Sequence, residues 1–311
     1  MEVVVDPLAL PRPLVRPAIA IGNFDGVHHG HRALVTAARA AAGAGDVCVL
    51  TFEPHPAEVL APARAPVRIA TPARKLELLA DAGVDVAVVV PFTPALAAST
   101  AAAFVDDVLV AALGARHVVV GDDFTYGHGR AGTTATLRAH GERAGFATTV
   151  VAPVCVGAAA ASSTRVRAAL AAGELAEVRA LLDRPYDVDG VVVRGAGRGK
   201  GLGIPTANVA TDGPIAARPG IYAVTLATLD GDRRARPAVA SLGTNPTFVD
   251  GGALVLEVHV LDFDGDLYGR RVRVGFEAWL RAEARYTTVD ALLAQIHADI
   301  AAARTRLAHL G

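Results

Sequence analysis

The stretch PAIAIGNFDGVHHGHRAL, residues 17–34, holds a short apolar run, a turn with two glycines and the start of an Ala/Leu-rich segment. The apolar run predicts a buried strand over 17–22, and the following segment predicts a helix over 30–44. Three histidines and an aspartate lie between the two apolar segments. A strand that leads directly into a helix is typical of a parallel sheet, so this stretch predicts an α/β fold with polar chemistry at its turn.

The remainder of the first half repeats this alternation of short Val/Ile-rich runs and longer Ala/Leu-rich ones. Continuous apolar strands separated by helices indicate a parallel sheet that is covered on both faces. Ligands of such sheets bind at the carboxyl ends of the strands, where GNFDG (22–26), TFEPHP (51–56) and GDDFTYG (121–127) all lie. The further predicted strands are 46–52, 84–90, 116–121 and 146–152, with helices near 72–82, 100–113, 133–144 and 164–172.

The second half of the chain has a different sequence pattern. From Tyr186 onward the runs are short, rich in valine and separated by Gly, Asp and Pro, which predicts a small antiparallel barrel. Apolar residues at helical spacing then predict a closing helix over 288–310. We place the boundary near residues 183–185, which gives an α/β domain over 1–183 and a barrel domain over 184–311.

Composition narrows the class of protein. The 311 residues carry 30 Lys and Arg against 31 Asp and Glu, a balance that does not favour nucleic acid or an anionic membrane as partner. The charge-free windows 86–105 and 144–164 are interrupted by Pro or Gly, whereas a membrane span needs roughly 20 predominantly apolar residues. Cys48 and Cys155 lie in apolar runs and form no disulfide framework. With no basic segment at the N-terminus, we expect a soluble cytoplasmic protein, either a monomer or a weak homo-oligomer.

The histidine-rich turn indicates a site for an anion. The chain has neither a P-loop nor a G-x-G-x-x-G turn. Amides at the start of a helix, together with its dipole, favour a bound anion, and the imidazoles of His28 and His31 could donate to the same phosphate. Two alternatives remain open: a zinc site that uses Asp25 with these histidines, although H-x-x-H is not the usual helical spacing, and a plain helix cap with incidental histidines.

The same residues carry a resemblance to a known family. GNFDGVHHGH resembles the H-x-G-H signature of the nucleotidyltransferase superfamily. TFEPHPAEVL (51–60), GDDFTYGHGRAG (121–132) and SSTRVR (162–167) follow in the order of the next three motifs of one branch. Together they resemble the N-terminal half of the bacterial bifunctional riboflavin kinase/FMN adenylyltransferases, which implies a Rossmann-like nucleotidyltransferase domain.

The resemblance implies a role for each motif residue. His28 and His31 would be the catalytic groups that hold ATP phosphates. For SSTRVR the alternative is a capped helix with a surface arginine. For the aromatic residues Phe124 and Tyr126 the alternative is core packing. The ATP-binding residues implied are Gly22, Phe24, His28, Gly30, His31, Ser163, Thr164 and Arg167, and the flavin-binding ones are Asp123, Phe124 and Tyr126.

A second dense stretch, RGAGRGKGLGIPTANV over 194–209, lies near the start of the predicted barrel. Amides of its glycine-rich part could wrap phosphates, with charge from Arg198 and Lys200, although a bare flexible basic loop is the alternative. Thr206 and Asn208 are two residues apart in an extended segment and so face the same way. A hydroxyl and an amide oxygen are hard ligands that suit Mg²⁺ beside ATP.

Glu257 supplies a carboxylate within a predicted strand and shares its face with His259. It could take a proton from an alcohol, although a solvent-facing strand is the alternative. The stretches GKGLGIPTAN, PGIYAV, SLGTNPTF, LEVHVLDFDGDLYG and FEAWLRAEARY resemble the riboflavin kinase module. On that pattern Glu257 is the general base for the riboflavin 5′-hydroxyl, and the residues on Mg-ATP are Gly197, Arg198, Lys200, Pro205, Thr206 and Asn208, with Thr206 and Asn208 on the metal.

The implied function is ATP-dependent phosphorylation of riboflavin to FMN, followed by transfer of AMP from a second ATP to give FAD and pyrophosphate. It requires Mg²⁺, with ATP as co-substrate and small molecules as the only partners. One alternative is an H-x-G-H transferase for another phosphorylated acceptor, which would leave Thr206, Asn208 and Glu257 without a role. The other is a flavin-binding carrier or regulator with one inactive module.

Overall fold

The computed structural model of the chain describes residues 1–195, 203–244 and 254–308. These residues form two compact units, one of Met1–Pro66 with Pro72–Ser162 and one of Val67–Thr71 with Ser163–Gly311. The helices after Ser162 therefore belong with the barrel by their packing. The division of the chain into catalytic domains after residue 183 stays a prediction.

The first unit is built on a six-stranded parallel sheet. Its strands are β1 (Glu2–Val5), β2 (Ala18–Ile21), β3 (Val47–Glu53), β4 (Val86–Pro91), β5 (His117–Gly121) and β8 (Ala147–Val151), with short antiparallel pairs formed by β6 (Thr125–Tyr126) with β7 (Gly132–Thr133) and by β9 (Cys155–Val156) with β10 (Ala159–Ala160). Its helices are α1 (His29–Ala42), α2 (Pro56–Leu60), α3 (Pro72–Asp81), α4 (Pro94–Ala98), α5 (Ala101–Ala103) and α6 (Thr134–Ala144), and α5 continues as a π-helix over Phe104–Ala112.

The strand order, β1-β4-β3-β2-β5-β8, is that of a Rossmann-like sheet with an added edge strand. All neighbouring strands are parallel. The chain runs from β2 to β3 on one side and places β5 on the other, so the order reverses between β2 and β5. The predicted parallel sheet is confirmed, and β1 is an addition that the sequence did not predict.

Both faces of this sheet are covered. All four residues of β2 are buried, as expected for a continuous apolar run. On one face α1 packs against β2, β3 and β5. On the other face the alternate residues Ile19 and Ile21 join the core cluster of the π-helical segment, which includes Phe104 and Leu109.

The second unit is a closed antiparallel barrel with helices at its two sequence ends. The elements are α7 (Ser163–Ala172), α8 (Leu175–Leu182), β11 (Tyr186–Val193), β12 (Ala207–Thr211), β13 (Gly220–Thr228), β14 (Arg236–Thr244), β15 (Leu254–Val260), β16 (Arg271–Arg281) and α9 (Val289–Leu307). The barrel order is β11-β12-β15-β14-β13-β16, which confirms the predicted antiparallel barrel. The predicted closing helix is confirmed by α9.

The last helix is fixed to the outside of the barrel by apolar packing and a partly buried ion pair. Ala303 and Leu307 of α9 pack against the barrel residue Ala223. Arg281 of β16 binds both carboxylate oxygens of Asp299 of α9, at 2.9 and 2.6 Å. Among the described residues, no helix combines the length and the apolar character needed to cross a membrane.

Candidate functional site

The three polar stretches of the first unit leave the carboxyl ends of three adjacent strands. GNFDG follows β2, TFEPHP covers the end of β3 and continues beyond it, and GDDFTYG follows β5. Since β3, β2 and β5 are neighbours, these stretches meet at the edge where the strand order reverses. Open α/β sheets bind their ligands at this place, so the topology agrees with the predicted position of the site, which stays a prediction.

The turn between β2 and α1 is unusually constrained. Phe24 and Val27 are completely buried and have positive φ angles of 53° and 45°. Such conformations cost about 1–3 kcal/mol each for residues other than glycine and persist only where the surroundings enforce them. Gly22 leaves space for the Phe24 ring, since a Cβ at residue 22 would lie 3.3 Å from its Cε2 atom. The strain is therefore held in place by the buried core around Phe24.

His28 caps α1 through its own side chain. Its Nδ1 accepts a hydrogen bond from the Gly30 amide at 3.1 Å, and the residue is only 6% exposed. Because Nδ1 is an acceptor, the neutral ring carries its proton on Nε2. One of the helix amides expected to hold an anion is therefore engaged by His28. A Cβ at residue 30 would lie 3.1 Å from the His28 ring, so a side chain at this position would crowd the ring.

The structure brings the two predicted catalytic histidines together. The rings of His28 and His31 are stacked, with centroids 3.7 Å apart and planes 23° from parallel. The Phe24 ring lies 5.1 Å from that of His31 and completes a row of three rings. His29 is partly buried and takes no part in this row. Among the described residues, no group of three or more His, Cys, Asp or Glu side chains could hold a metal ion.

The sequence did not predict the buried lysine that lies beside the turn between β2 and α1. Lys75 of α3 is 4% exposed, and its Nζ lies 2.6 Å from Glu53 Oε1 and 3.1 Å from Thr51 Oγ1. The same nitrogen donates to the carbonyl oxygen of Asn23 at 3.4 Å. A signal was present in the sequence, because Lys75 precedes the buried Leu78 by three residues and so lies on the apolar face of its helix.

The predicted flavin-binding residues differ in exposure. Asp123 is exposed and Phe124 is half-buried, whereas Tyr126 is 8% exposed and belongs to the core. The Tyr126 ring stacks on that of Phe124 at 5.5 Å and lies 5.7 Å from that of Phe104. Tyr126 therefore packs in the core, as the alternative interpretation expected, and its ring contacts one face of the Phe124 ring.

The SSTRVR residues lie at the start of α7. Ser163 and Thr164 occupy the first turn of that helix, and Thr164 is exposed. The Nε of Arg167 donates to the Val67 carbonyl at 2.7 Å, which ties residues 67–71 to α7. Ser163, Thr164 and Arg167 belong to the second compact unit, whereas Ser162, His28 and His31 belong to the first.

The barrel places its predicted acid–base residue directly opposite its predicted metal ligand. Asn208 of β12 and Ser241 of β14 are the two cross-strand partners of Glu257 on β15. Directly paired residues point to the same side of a sheet. Leu256 and Val258 are buried in the barrel core, so Glu257, which alternates with them, lies on the outer face together with Asn208.

His259 anchors the segment that leads to these residues. Its Nδ1 donates to the Pro205 carbonyl at 2.8 Å, one residue before Thr206. The sequence placed His259 on the same face as Glu257 but did not predict this contact. The bond fixes the extended segment that carries Thr206 and Asn208 against β15.

A cavity of about 250 Å³ lies beside this segment. Pro205 and Thr206 form part of its wall, and Phe263, Asp266 and Tyr268 of the following turn form another part. Glu257 and Asn208 do not line it. The predicted residues Gly197, Arg198 and Lys200 lie outside the described residues.

Comparison with protein families divides the chain in the same order as its motifs. The family model described as FAD synthetase matches residues 13–165, and the one described as riboflavin kinase matches residues 182–307. The chain thus joins two flavin-nucleotide transferase modules.

Curated relatives combine the same two modules. The chain is 42% identical over 296 residues to the bifunctional riboflavin kinase/FMN adenylyltransferase of Pseudomonas fluorescens, covering 94% of each chain. It is 41% identical over 288 residues to that of Escherichia coli strain K12, covering 92% of this chain and 91% of the relative. The chain belongs to the family of bifunctional riboflavin kinase/FMN adenylyltransferases, and the resemblance seen in the sequence is confirmed.

A solved structure shares the architecture of the whole chain. It is a crystal structure from Streptococcus pneumoniae, 30% identical, with a TM-score of 0.86 over 98% of this chain and 99% of the other. That protein is described as a macrolide-efflux protein. The likeness extends over both compact units.

Proposed function

We propose that this chain makes FAD from riboflavin in two steps at two separate sites. The observation that carries the proposal is the pairing of motif residues within each unit. His28 stacks on His31 where the order of the parallel strands reverses, and Asn208 lies opposite Glu257 on the barrel. Each pair supports one phosphorus-centred reaction.

In the adenylyl transfer step, a phosphate oxygen of FMN attacks the α-phosphorus of ATP, and the bond to pyrophosphate breaks. The FMN phosphate is already an ionised nucleophile, so the step needs positioning and charge stabilisation but no base. In the proposed complex the proton on Nε2 of His28 is donated to an ATP phosphate, with His31 beside it. Gly22 and Gly30 leave room for Phe24 and for the His28 cap. Ser163, Thr164 and Arg167 keep the ATP-binding role that their sequence motif implies.

In the kinase step, the riboflavin 5′-oxygen attacks the γ-phosphorus of ATP, and ADP leaves. Glu257 takes the proton of the 5′-hydroxyl. Thr206 and Asn208 offer the hard oxygen ligands that Mg²⁺ prefers, and this ion would neutralise phosphate charge when it is bound. Pro205 restricts the backbone of the segment that carries Thr206 and Asn208. Gly197, Arg198 and Lys200 are proposed to bind the ATP phosphates.

The aromatic residues and the cavity receive the remaining parts of the substrates. Phe124 is exposed enough to flank the flavin ring, and Tyr126 holds it in place by stacking. Asp123 lies at the same exposed loop. The cavity lined by Thr206 would take part of the nucleotide bound to that residue, with Tyr268 as an aromatic wall. The cytoplasm and a monomer or weak homo-oligomer remain the expected setting.

The proposal is tested by incubating the purified protein with riboflavin, ATP and Mg²⁺ and resolving the flavins by chromatography. We expect FMN to appear first and FAD to follow. Absence of FMN would overturn the kinase step, and FMN without FAD would overturn the adenylyl step. A protein that retains bound flavin but forms neither product would favour the carrier or regulator.

A further inference from the structure

The buried ammonium of Lys75 lies outside every motif that the proposed reactions use. Lysine is rarely buried unless its charge is paired, and Lys75 is 4% exposed. Its Nζ lies 2.6 Å from Glu53 Oε1, 3.1 Å from Thr51 Oγ1 and 3.5 Å from the Phe52 carbonyl. A fourth oxygen, the Asn23 carbonyl, lies 3.4 Å away. One charged group thus gathers oxygens from the ends of two strands.

These oxygens belong to the two stretches that frame the first site. Asn23 lies in the GNFDG turn after β2, and Thr51 lies near the end of β3 in TFEPHP. Thr51 is completely buried, and its hydroxyl also donates to the Asn23 carbonyl, at 3.1 Å. Two donors therefore hold the same backbone oxygen.

The Asn23 carbonyl belongs to the peptide plane that leads into Phe24. Phe24 has a φ angle of 53°, and its ring lies 5.1 Å from that of His31, which stacks on His28. A strained turn keeps its geometry only where several contacts enforce it. A fixed Asn23 carbonyl therefore fixes the peptide plane between Asn23 and Phe24. The Phe24 ring is the first of the row of three rings.

We infer that Lys75 is a positioning residue for adenylyl transfer. It holds the Asn23 carbonyl, and through Phe24 it sets where His31 and His28 meet the ATP phosphates. The inference rests on the proposed function of the histidine pair. Lys75 itself does not contact the reacting atoms in this account.

The competing explanation is that Lys75 serves only to neutralise the partly buried Glu53 carboxylate. Three variants separate the two explanations: Lys75→Met, Lys75→Arg and the double variant Glu53→Gln/Lys75→Met. In the double variant the carboxylate charge is gone, but the Asn23 carbonyl still lacks its ammonium donor. A pure charge-pairing role predicts that the double variant regains activity, whereas a positioning role predicts that it does not.

For Lys75→Met we expect the kcat of FAD formation from FMN and ATP to fall about 10- to 100-fold, because a shift of the order of 1 Å in a catalytic group can have that effect. The KM for ATP should change less than kcat. FMN formation from riboflavin by the same protein should stay within twofold of wild type, which controls for folding. Lys75→Arg, which keeps donors at this place, should retain part of the lost rate.

Thr51→Val is a milder variant that keeps the Lys75–Glu53 pair and removes the second donor to Asn23. We expect a smaller fall in kcat in the same direction, so the inference stays testable even where Lys75→Met does not fold. The matched control is Arg12→Met, which breaks an ion pair of the same unit whose partners, Asp46 and Glu2, lie outside the motif stretches. It should leave both product rates unchanged.

Recovery of wild-type FAD formation in Glu53→Gln/Lys75→Met would overturn the inference, as would an equal fall of FMN and FAD formation in a folded Lys75→Met protein. A failure of the proposed function looks different. In that case His31→Ala would keep forming FAD, whereas a failure of this inference alone leaves His31→Ala inactive and Lys75→Met active.

Discussion

The two candidate sites of this enzyme are proposed for similar phosphorus-centred reactions, but different kinds of structure position their residues. The first is a buried turn in which Phe24 and Val27 adopt positive φ angles, and a lysine from a separate helix donates to a carbonyl oxygen of that turn. The second lies on the outer face of a barrel, where Asn208 and Glu257 are placed by ordinary strand pairing. The first site therefore depends on many contacts that are distant in sequence, and the second depends mainly on the alternation of a strand.

The largest effect is expected for Glu257→Gln. The amide cannot accept the proton of the riboflavin hydroxyl, so FMN formation should fall by about 10²- to 10⁴-fold. Because Glu257 is half-buried on a strand and its neighbours form the core, the thermal unfolding temperature should change little. The measurement is the initial rate of FMN formation, and FAD formation from supplied FMN is the control. A variant that keeps its FMN rate would contradict the assignment of the base.

His31→Ala should have the next largest effect, on the other reaction. Removing one donor to the charge that develops on the phosphates should lower FAD formation from FMN by about 10²- to 10³-fold. FMN formation should not change. His29→Ala is the matched control, since the neighbouring histidine lies outside the row of rings, and its rates should match wild type. Equal losses in the two variants would mean that the stacked pair has no special role.

A smaller effect is expected for His259, which acts on the second site through the backbone. His259→Phe removes the donor to the Pro205 carbonyl, a bond worth about 0.5–1.5 kcal/mol, or about 2- to 12-fold. We expect this loss to appear as a higher KM for ATP in the kinase reaction. His259→Asn can restore a donor at the position of Nδ1 and should recover most of the affinity. If the two variants behave alike, the bond does not position Thr206.

The smallest effect tests the rigidity of the first site through Cys48. This thiol lies in β3, is completely buried, and burial raises its pKa to about 12. A thiolate is the reactive form, so Cys48 should resist thiol reagents at pH 8, while the exposed Cys155 should react. Titration of the native protein should give one reactive thiol per chain, and two in denaturant. Rapid reaction of Cys48 in the native protein would show that the sheet behind the histidine turn opens readily.

The sequence predicted the elements that follow local rules. Short apolar runs rich in Val or Ile located β2, β3, β4, β5 and β8, and the spacing of turns predicted the barrel. The strand at residues 2–5 was not predicted, because its apolar run is only three valines long between Glu2 and Asp6. Strand alternation also placed Glu257 and His259 on one face correctly.

The contacts that complete the sites could not be predicted in this way. The Lys75 interactions depend on how α3 packs over the ends of two strands, and no spacing in the sequence reports that distance. The bond from His259 to Pro205 joins residues that are 54 positions apart. The His28 cap is a local contact, but the sequence analysis assigned the first amides of the helix to the anion. It did not predict that the His28 imidazole accepts a hydrogen bond from the Gly30 amide.

The central claim, that two separate sites act in sequence, is tested most directly by the flavins that two variants form from riboflavin, ATP and Mg²⁺. His31→Ala should accumulate FMN and form almost no FAD. Glu257→Gln should form neither from riboflavin but should form FAD when FMN is supplied. If either substitution abolishes both reactions in a folded protein, or if His31→Ala forms FAD at the wild-type rate, the two-site account is wrong.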